Sequence, residues 1–229
     1  RYVQDVALGK DGLIEGFGKG ALLLDTSSSE PWLTIETAET LADVGVAMVD
    51  APVSGAEIGA QTGQLVFMVG AESAALERVM PLFEVMGKQV FHLGGVGAGH
   101  TMKCLNNMIT AMTFMATTEG LAIGTKLGLD PNVMTDVLNV STGGSWISQT
   151  QMKQRITSRK FDDAFKLELM VKDIGIAMRM AGDQAIPAPL CGTGHQLWRA
   201  AAHRAGKGAS ISEMVRWVEE MTGITITAE

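Results

Sequence analysis

The sequence predicts an α/β part followed by an all-α part. Three observations carry that prediction. Short apolar runs alternate with helix-patterned stretches as far as residue 97, strand signals nearly stop after Gly99, and the rest of the chain is a series of helical patterns separated by glycine turns. The boundary is therefore drawn between residues 1–97 and 98–229. With 229 residues, 46% apolar and 19% charged, the chain can bury a substantial core.

Residues 6 to 17 have a helical pattern, and Gly18-Lys19-Gly20 punctuates before the apolar run Ala21-Leu22-Leu23-Leu24, read as a buried strand ending at Asp25. Thr26-Ser27-Ser28-Ser29-Glu30-Pro31 then supplies hydroxyls suited to capping and a proline suited to a first helical turn, ahead of a helix from Trp32 to Val44. Strands at 46–49 and 65–69, a helix over 73–86 and a short strand at 89–93 continue the alternation. Between the second and third strands lies Asp50-Ala51-Pro52-Val53-Ser54-Gly55-Ala56-Glu57-Ile58-Gly59-Ala60-Gln61-Thr62-Gly63-Gln64, whose small residues suit a close approach to the backbone. Helical patterns then cover 100–127, 131–140, 145–157, 166–182, 188–205 and 211–221.

Several function classes are disfavoured. A net charge of −7 with no basic run argues against nucleic acid as a partner. The apolar region from Met102 to Gly128 is broken by Asn106, Asn107, Glu119 and Lys126, too polar for a membrane span. Cys104 and Cys191 stand far apart in helical patterns, which fits a reducing cytoplasm better than a disulfide framework. The opening Arg1-Tyr2-Val3-Gln4-Asp5 has neither an initiator Met nor a signal-peptide pattern, pointing to processing or a missing beginning. The histidines lack metal-ligand spacing, so no metal is expected, and Ser54 lacks the Gly-x-Ser-x-Gly setting of a nucleophile elbow. Trp146, Trp198 and Trp217 are expected in the helical core.

Lys103 and Asn107 are four apart in a helical pattern and Asn106 is three from Lys103, so all three can share a face among apolar neighbours. A lysine desolvated there suits proton transfer near neutral pH; a snorkelling lysine beside a capping asparagine fits the same spacing. Lys172 and Asp173 interrupt another apolar helix and, as neighbours, are expected on different sides of it; Lys172 faces either an anionic ligand or solvent. Gly94-Gly95-Val96-Gly97-Ala98-Gly99 fails the spacing of a dinucleotide loop and reads as a hinge.

Asp50-Ala51-Pro52-Val53-Ser54-Gly55-Ala56, Gly59-Ala60, Gly63-Gln64-Leu65 and Gly97-Ala98-Gly99 followed by Lys103 and Asn107 together resemble the β-hydroxyacid dehydrogenases, from about Asp11 to the Gly206-Lys207-Gly208 turn. The resemblance implies the C-terminal part of a Rossmann-type dinucleotide-binding domain joined by a long interdomain helix to a helical domain. It implies that Ser54, Gly55 and Ala56 bind a substrate carboxylate, Lys103 is the catalytic acid/base, and Asn107 and Asn106 orient the substrate. Ser27, Ser28, Lys172 and Asp173 would lie on the NAD or NADP side. The implied reaction is hydride transfer between a short 3-hydroxy acid and the nicotinamide, in a homodimer or homotetramer.

Three departures stand against the family pattern. Ala56 replaces its second glycine. Ser210-Ile211-Ser212 replaces an Asp-x-Ser, which puts a substrate contact there in doubt. The first strand, its Gly-x-Gly-x-x-Gly loop and the next two βα units are not in the sequence, roughly 65 to 75 residues of such a domain. A 6-phosphogluconate dehydrogenase, with histidine in place of Asn106, and an imine reductase, lacking the lysine, fit less well. The rival from another class is a truncated, catalytically inactive oligomerisation protein. The residue that discriminates NAD from NADP follows a strand outside the sequence.

Overall fold

The structure, a computed structural model, describes residues 2–228. The chain divides into two compact units, with the division between Cys104 and Leu105. Among the described residues no helix is long and apolar enough to cross a membrane.

In the first unit, α1 (Tyr2–Leu8) and a 3-10 turn (Leu13–Glu15) stand where one helix over 6–17 was expected. The helix already ends at Leu8, and Asp11, at φ 60 just before Gly12, takes a left-handed conformation that keeps it from resuming. A βαβ unit follows: β1 (Leu22–Asp25), α2 (Pro31–Asp43) and β2 (Ala47–Asp50). Its strands are parallel, with Leu22 opposite Ala47 and Asp25 opposite Asp50. Pro31 opens α2, where its missing N–H removes no helical bond, but the preceding serines do not cap it; Glu30 holds the N-cap position without a side-chain hydrogen bond.

The glycine-rich connection is more ordered than a loop. It contains β3 (Val53–Ser54) and α3 (Ala56–Gln61). β4 (Leu65–Gly70) pairs antiparallel with β3, Val53 opposite Phe67, and touches β2 where Asp50 faces Gly70. α4 (Ser73–Met86) leads to β5 (Gly87–Gly94), parallel to β4. The described residues thus form a mixed five-stranded sheet of order β1-β2-β4-β3 with β5 on β4. Val49, Phe67, Val69 and Phe83 are fully buried in its core, and the Phe67 and Phe83 rings lie 4.3 Å apart.

α5 (Ala98–Lys126) has 29 residues and is therefore about 43 Å long. The second unit adds α6 (Pro131–Asn139), α7 (Trp146–Thr150), a π-helical turn (Met152–Thr157), α8 (Leu167–Asp183), α9 (Pro189–Ala205) and α10 (Glu213–Thr222). Asp130 caps α6 by accepting the N–H groups of Asn132 and Val133, and Ser145 and Ser148 form a reciprocal capping box on α7. The core centres on Trp198, fully buried and edge-on to Phe114 at 5.9 Å, its indole N–H donating to the Ala111 carbonyl at 3.3 Å. Trp217 packs partly buried against this core, whereas Trp146, at the first position of α7, is 58% exposed and is not a core residue.

Candidate active site

The parallel strands β1 and β2 end in register on two buried aspartates, Asp25 and Asp50. In open α/β sheets ligands sit outside these carboxyl ends. The Ser27–Ser28 turn follows β1 there, with Ser27 exposed and Ser28 half-buried, and the Ser27 N–H donates to Asp25 Oδ1 at 2.9 Å. Asp25 Oδ2 is buried and accepts no hydrogen bond. The turn presents polar backbone and hydroxyl groups at the strand ends, beside an unsatisfied carboxylate oxygen.

Asp50 reaches the start of α5. Its Oδ1 accepts the Gly97 N–H at 2.7 Å and its Oδ2 the His100 N–H at 2.8 Å, so a side chain from the sheet satisfies amides that the first helical turn leaves unpaired. Burial pushes the Asp50 carboxyl above its ordinary value, against the opposing effects of His100 and these two amides. The 94–99 stretch, read from sequence as a hinge, is tied down in this way. A Cβ on Gly99 would stand 2.7 Å from the Asp50 carbonyl oxygen, so only glycine lets the helix start pass this close.

One helical turn further, Lys103 is 9% exposed and its Nζ donates to the Val53 carbonyl at 2.8 Å. The snorkelling alternative does not hold: the ammonium group is turned onto β3. Val53 precedes Ser54, which is half-buried, and the exposed pair Gly55 and Ala56, at φ 124 and φ 51. Lys103 is thus held beside the segment expected to take a carboxylate.

In the second unit, Asn107 Nδ2 donates to Asp173 Oδ2 at 2.6 Å, and Lys172 Nζ lies 3.1 Å from Asp173 Oδ1. Lys172 and Asp173 were expected on different sides of their helix; the flexible lysine stem folds back and they pair. Asn106 Nδ2 donates to Asn107 Oδ1 at 3.2 Å, which fixes the Asn107 amide with its oxygen toward Asn106 and its nitrogen toward Asp173. Asp173 itself is 1% exposed, so it organises the cluster from beneath. Ser210 and Ser212 serve inside this unit: Ser210 Oγ donates to the Phe161 carbonyl at 3.1 Å, and Ser212 Oγ donates to Asp163. Burial raises the Asp163 carboxyl above its ordinary value, opposed by the Ser212 hydrogen bond and the Arg155 guanidinium.

The structure also brings together three residues that the sequence reading did not single out, Asp25, Asp50 and His100. The available signal was two apolar strands each ending in aspartate, and a histidine inside an apolar helix start; histidines judged only by metal-ligand spacing hide this pattern. Among the described residues no group of three or more His, Cys, Asp or Glu side chains is placed to hold a metal ion.

Comparison with known proteins matches two successive stretches of the chain to two family models. Residues 97–218 match the family described as NAD-binding of NADP-dependent 3-hydroxyisobutyrate dehydrogenase, and residues 1–94 match the NAD binding domain of 6-phosphogluconate dehydrogenase. The chain is 32% identical to 2-(hydroxymethyl)glutarate dehydrogenase of Eubacterium barkeri, over 98% of this chain and 75% of that protein. It is 38% identical to a 3-hydroxyisobutyrate dehydrogenase of Pseudomonas aeruginosa, over 82% of this chain and 64% of that protein. The solved structure of Mycobacterium tuberculosis 3-hydroxyisobutyrate dehydrogenase with L-serine superposes with a TM-score of 0.83 at 28% identity, covering 91% of this chain and 73% of that one. The chain thus spans between 64% and 75% of the length of these proteins. It belongs to the β-hydroxyacid dehydrogenase family, NAD(P)-dependent oxidoreductases of short hydroxy acids.

Proposed function

We propose that this chain oxidises a short 3-hydroxy acid of the 3-hydroxyisobutyrate kind to the semialdehyde or keto acid, or runs the reverse reduction, with Lys103 as its acid/base. The observation that carries this reading is the buried Lys103 Nζ, 2.8 Å from the Val53 carbonyl and one residue away from Ser54. A lysine fixed on that strand is positioned to exchange a proton with a hydroxyl whose carboxylate is bound next to it.

The nicotinamide, when bound, supplies the hydride acceptor or donor. Ser54, Gly55 and Ala56 hold the carboxylate through backbone N–H groups and the serine hydroxyl, which small residues leave accessible. As the neutral amine Lys103 takes the hydroxyl proton in oxidation, becoming the ammonium, and as the ammonium it returns that proton in reduction. Asn106 and Asn107 direct amide groups to the substrate, with Asn107 held by Asp173. Ser27 and Ser28 contact the cofactor, as does Lys172, whose side chain is 38% exposed while its Nζ stays paired with Asp173. Residues 1–97 would serve the cofactor and lend the carboxylate-binding segment, and 98–229 would serve the substrate and assembly and lend Lys172 to the cofactor.

A homo-oligomer is part of the same proposal. α5 and α6 of the second unit border an apolar groove of about 720 Å³, and Val133 and Val137 beside it are 60% and 56% exposed. Symmetric self-association is the usual way such a face is covered, and a second copy is the occupant proposed here. A cytoplasmic setting agrees with two free cysteines. Fluorescence titration with NADH and NADPH tests the reading. Saturable binding of at least one, retained in Lys103→Met, supports it; binding of neither returns the chain to the oligomerisation-protein alternative.

A further inference from the structure

His100 has no part in the chemistry proposed above, yet it is completely buried between two carboxylates. Its Nε2 is 3.2 Å from the Ser27 carbonyl and 3.6 Å from Asp25 Oδ2. Its Nδ1 is 2.8 Å from Thr34 Oγ1 and 3.7 Å from Asp50 Oδ2. The elements converging on the ring are therefore β1, the serine turn, α2 and β2, and the charged groups they bring to it are Asp25 and Asp50.

The hydrogen-bond roles can be worked out atom by atom. A carbonyl oxygen only accepts, so Nε2 carries a proton toward Ser27. The Glu30 carbonyl at 3.1 Å can take the single hydroxyl proton of Thr34, an arrangement in which Oγ1 accepts from Nδ1. Both ring nitrogens then donate. Two buried carboxylates at either end of the ring favour the same state, since a neutral imidazole would leave them uncompensated, and Asp25 Oδ2 has no hydrogen-bond donor of its own. A positive charge in the first turn of α5 opposes the helix dipole, but the Asp50 carboxylate bound to that same turn offsets this.

We infer that His100 is a buried imidazolium and a positioning residue, whose Nε2–H holds the Ser27 carbonyl and so fixes the Ser27–Ser28 turn for the cofactor. The cofactor clause rests on the functional reading above; the charge state and the fixed turn do not. With His100 in place the turn is anchored from both sides, its Ser27 N–H by Asp25 and its Ser27 C=O by the ring. Without the ring, the carbonyl is released and two like charges face each other across the strand ends.

The test uses the full chain labelled with ¹⁵N in its histidines, with His100→Gln and His100→Leu as partners. Four histidines are present, so the signal missing from the variants identifies His100. At neutral pH the expected result is a ring with both nitrogens protonated; a neutral tautomer overturns the inference. In the cofactor-free protein, hydrogen exchange at the Ser27 amide should quicken by about tenfold in His100→Leu and less in His100→Gln, which keeps one donor. Unchanged exchange in the folded variants also overturns it. If His100→Leu does not fold, His100→Gln carries the comparison. NADH affinity should weaken in the same order, whereas a purely structural role would lower the melting temperature alone. Should the parent chain bind neither NADH nor NADPH, the functional reading fails, and the ring and exchange measurements still decide this one.

Discussion

Asn107 and Lys172 depend on one buried carboxylate. Replacing Asp173 by leucine leaves the Asn107 amide without its acceptor, and unfolding free energy should fall by about 1–3 kcal/mol, read from urea denaturation. Ala56 is a second residue-scale case. It sits at φ 51, where a side chain is strained and glycine is not, so Ala56→Gly should gain about 1 kcal/mol of stability in the same assay. His195 gives a pH dependence. Burial and then the Arg199 guanidinium hold its pKa below the ordinary 6.5, against a backbone hydrogen bond with Val171 that raises it. The fold therefore prefers the neutral ring: this stability is complete above pH 6.5 and is lost as pH falls through the folded value. His195→Gln should show a smaller drop in urea midpoint on acidification than the parent, and an equal drop would show that this ring does not matter. Spacing placed Lys103 and Asn107 on one helix, α5, but not their partners, which are the Val53 carbonyl for one and Asp173 for the other. Asp173 was only half legible, since spacing says nothing about a lysine that folds back on its neighbour.

Helices and strands were legible wherever apolar periodicity ran unbroken, as in α4, expected over 73–86 and found at Ser73–Met86. Expectations failed where one residue's backbone decided the outcome. The first helix stops at Leu8 and the left-handed Asp11 keeps it from resuming, and the pattern over 145–157 splits into α7 and a π-helical turn at Met152. The connection over 50–65 hid a strand pair, because β3 is two residues long and gains its place only by pairing with β4. At this scale the close start of α5 is testable. Gly99→Ala drives a Cβ toward the Asp50 and Met68 carbonyls and should cost about 1–3 kcal/mol, while Gly182→Ala, exposed in α8 with open space around it, should gain about 0.5–1 kcal/mol. Equal effects of the two would show that the close approach is not what selects glycine at position 99.

At the scale of the whole molecule, each unit has its own apolar core, one around Phe67 and Phe83 and the other around Trp198 and Phe114. The two-part order of the chain was legible because strand signals end where the helical unit begins. The mixed sheet was not, because strand direction depends on how 50–65 folds. Val133→Glu with Val137→Glu places two carboxylates on the exposed apolar face and should shift the chain toward monomer in sedimentation velocity; an unchanged species distribution would move the contact elsewhere. The most direct measurement is cofactor reduction, followed by nicotinamide absorbance, with NAD or NADP and a panel of short 3-hydroxy acids, comparing the parent chain with Lys103→Met. Turnover by the parent and a loss of about 10²–10⁴-fold in the variant is the expected result. Equal turnover by both, or none by the parent with any acid, would contradict the role given to Lys103.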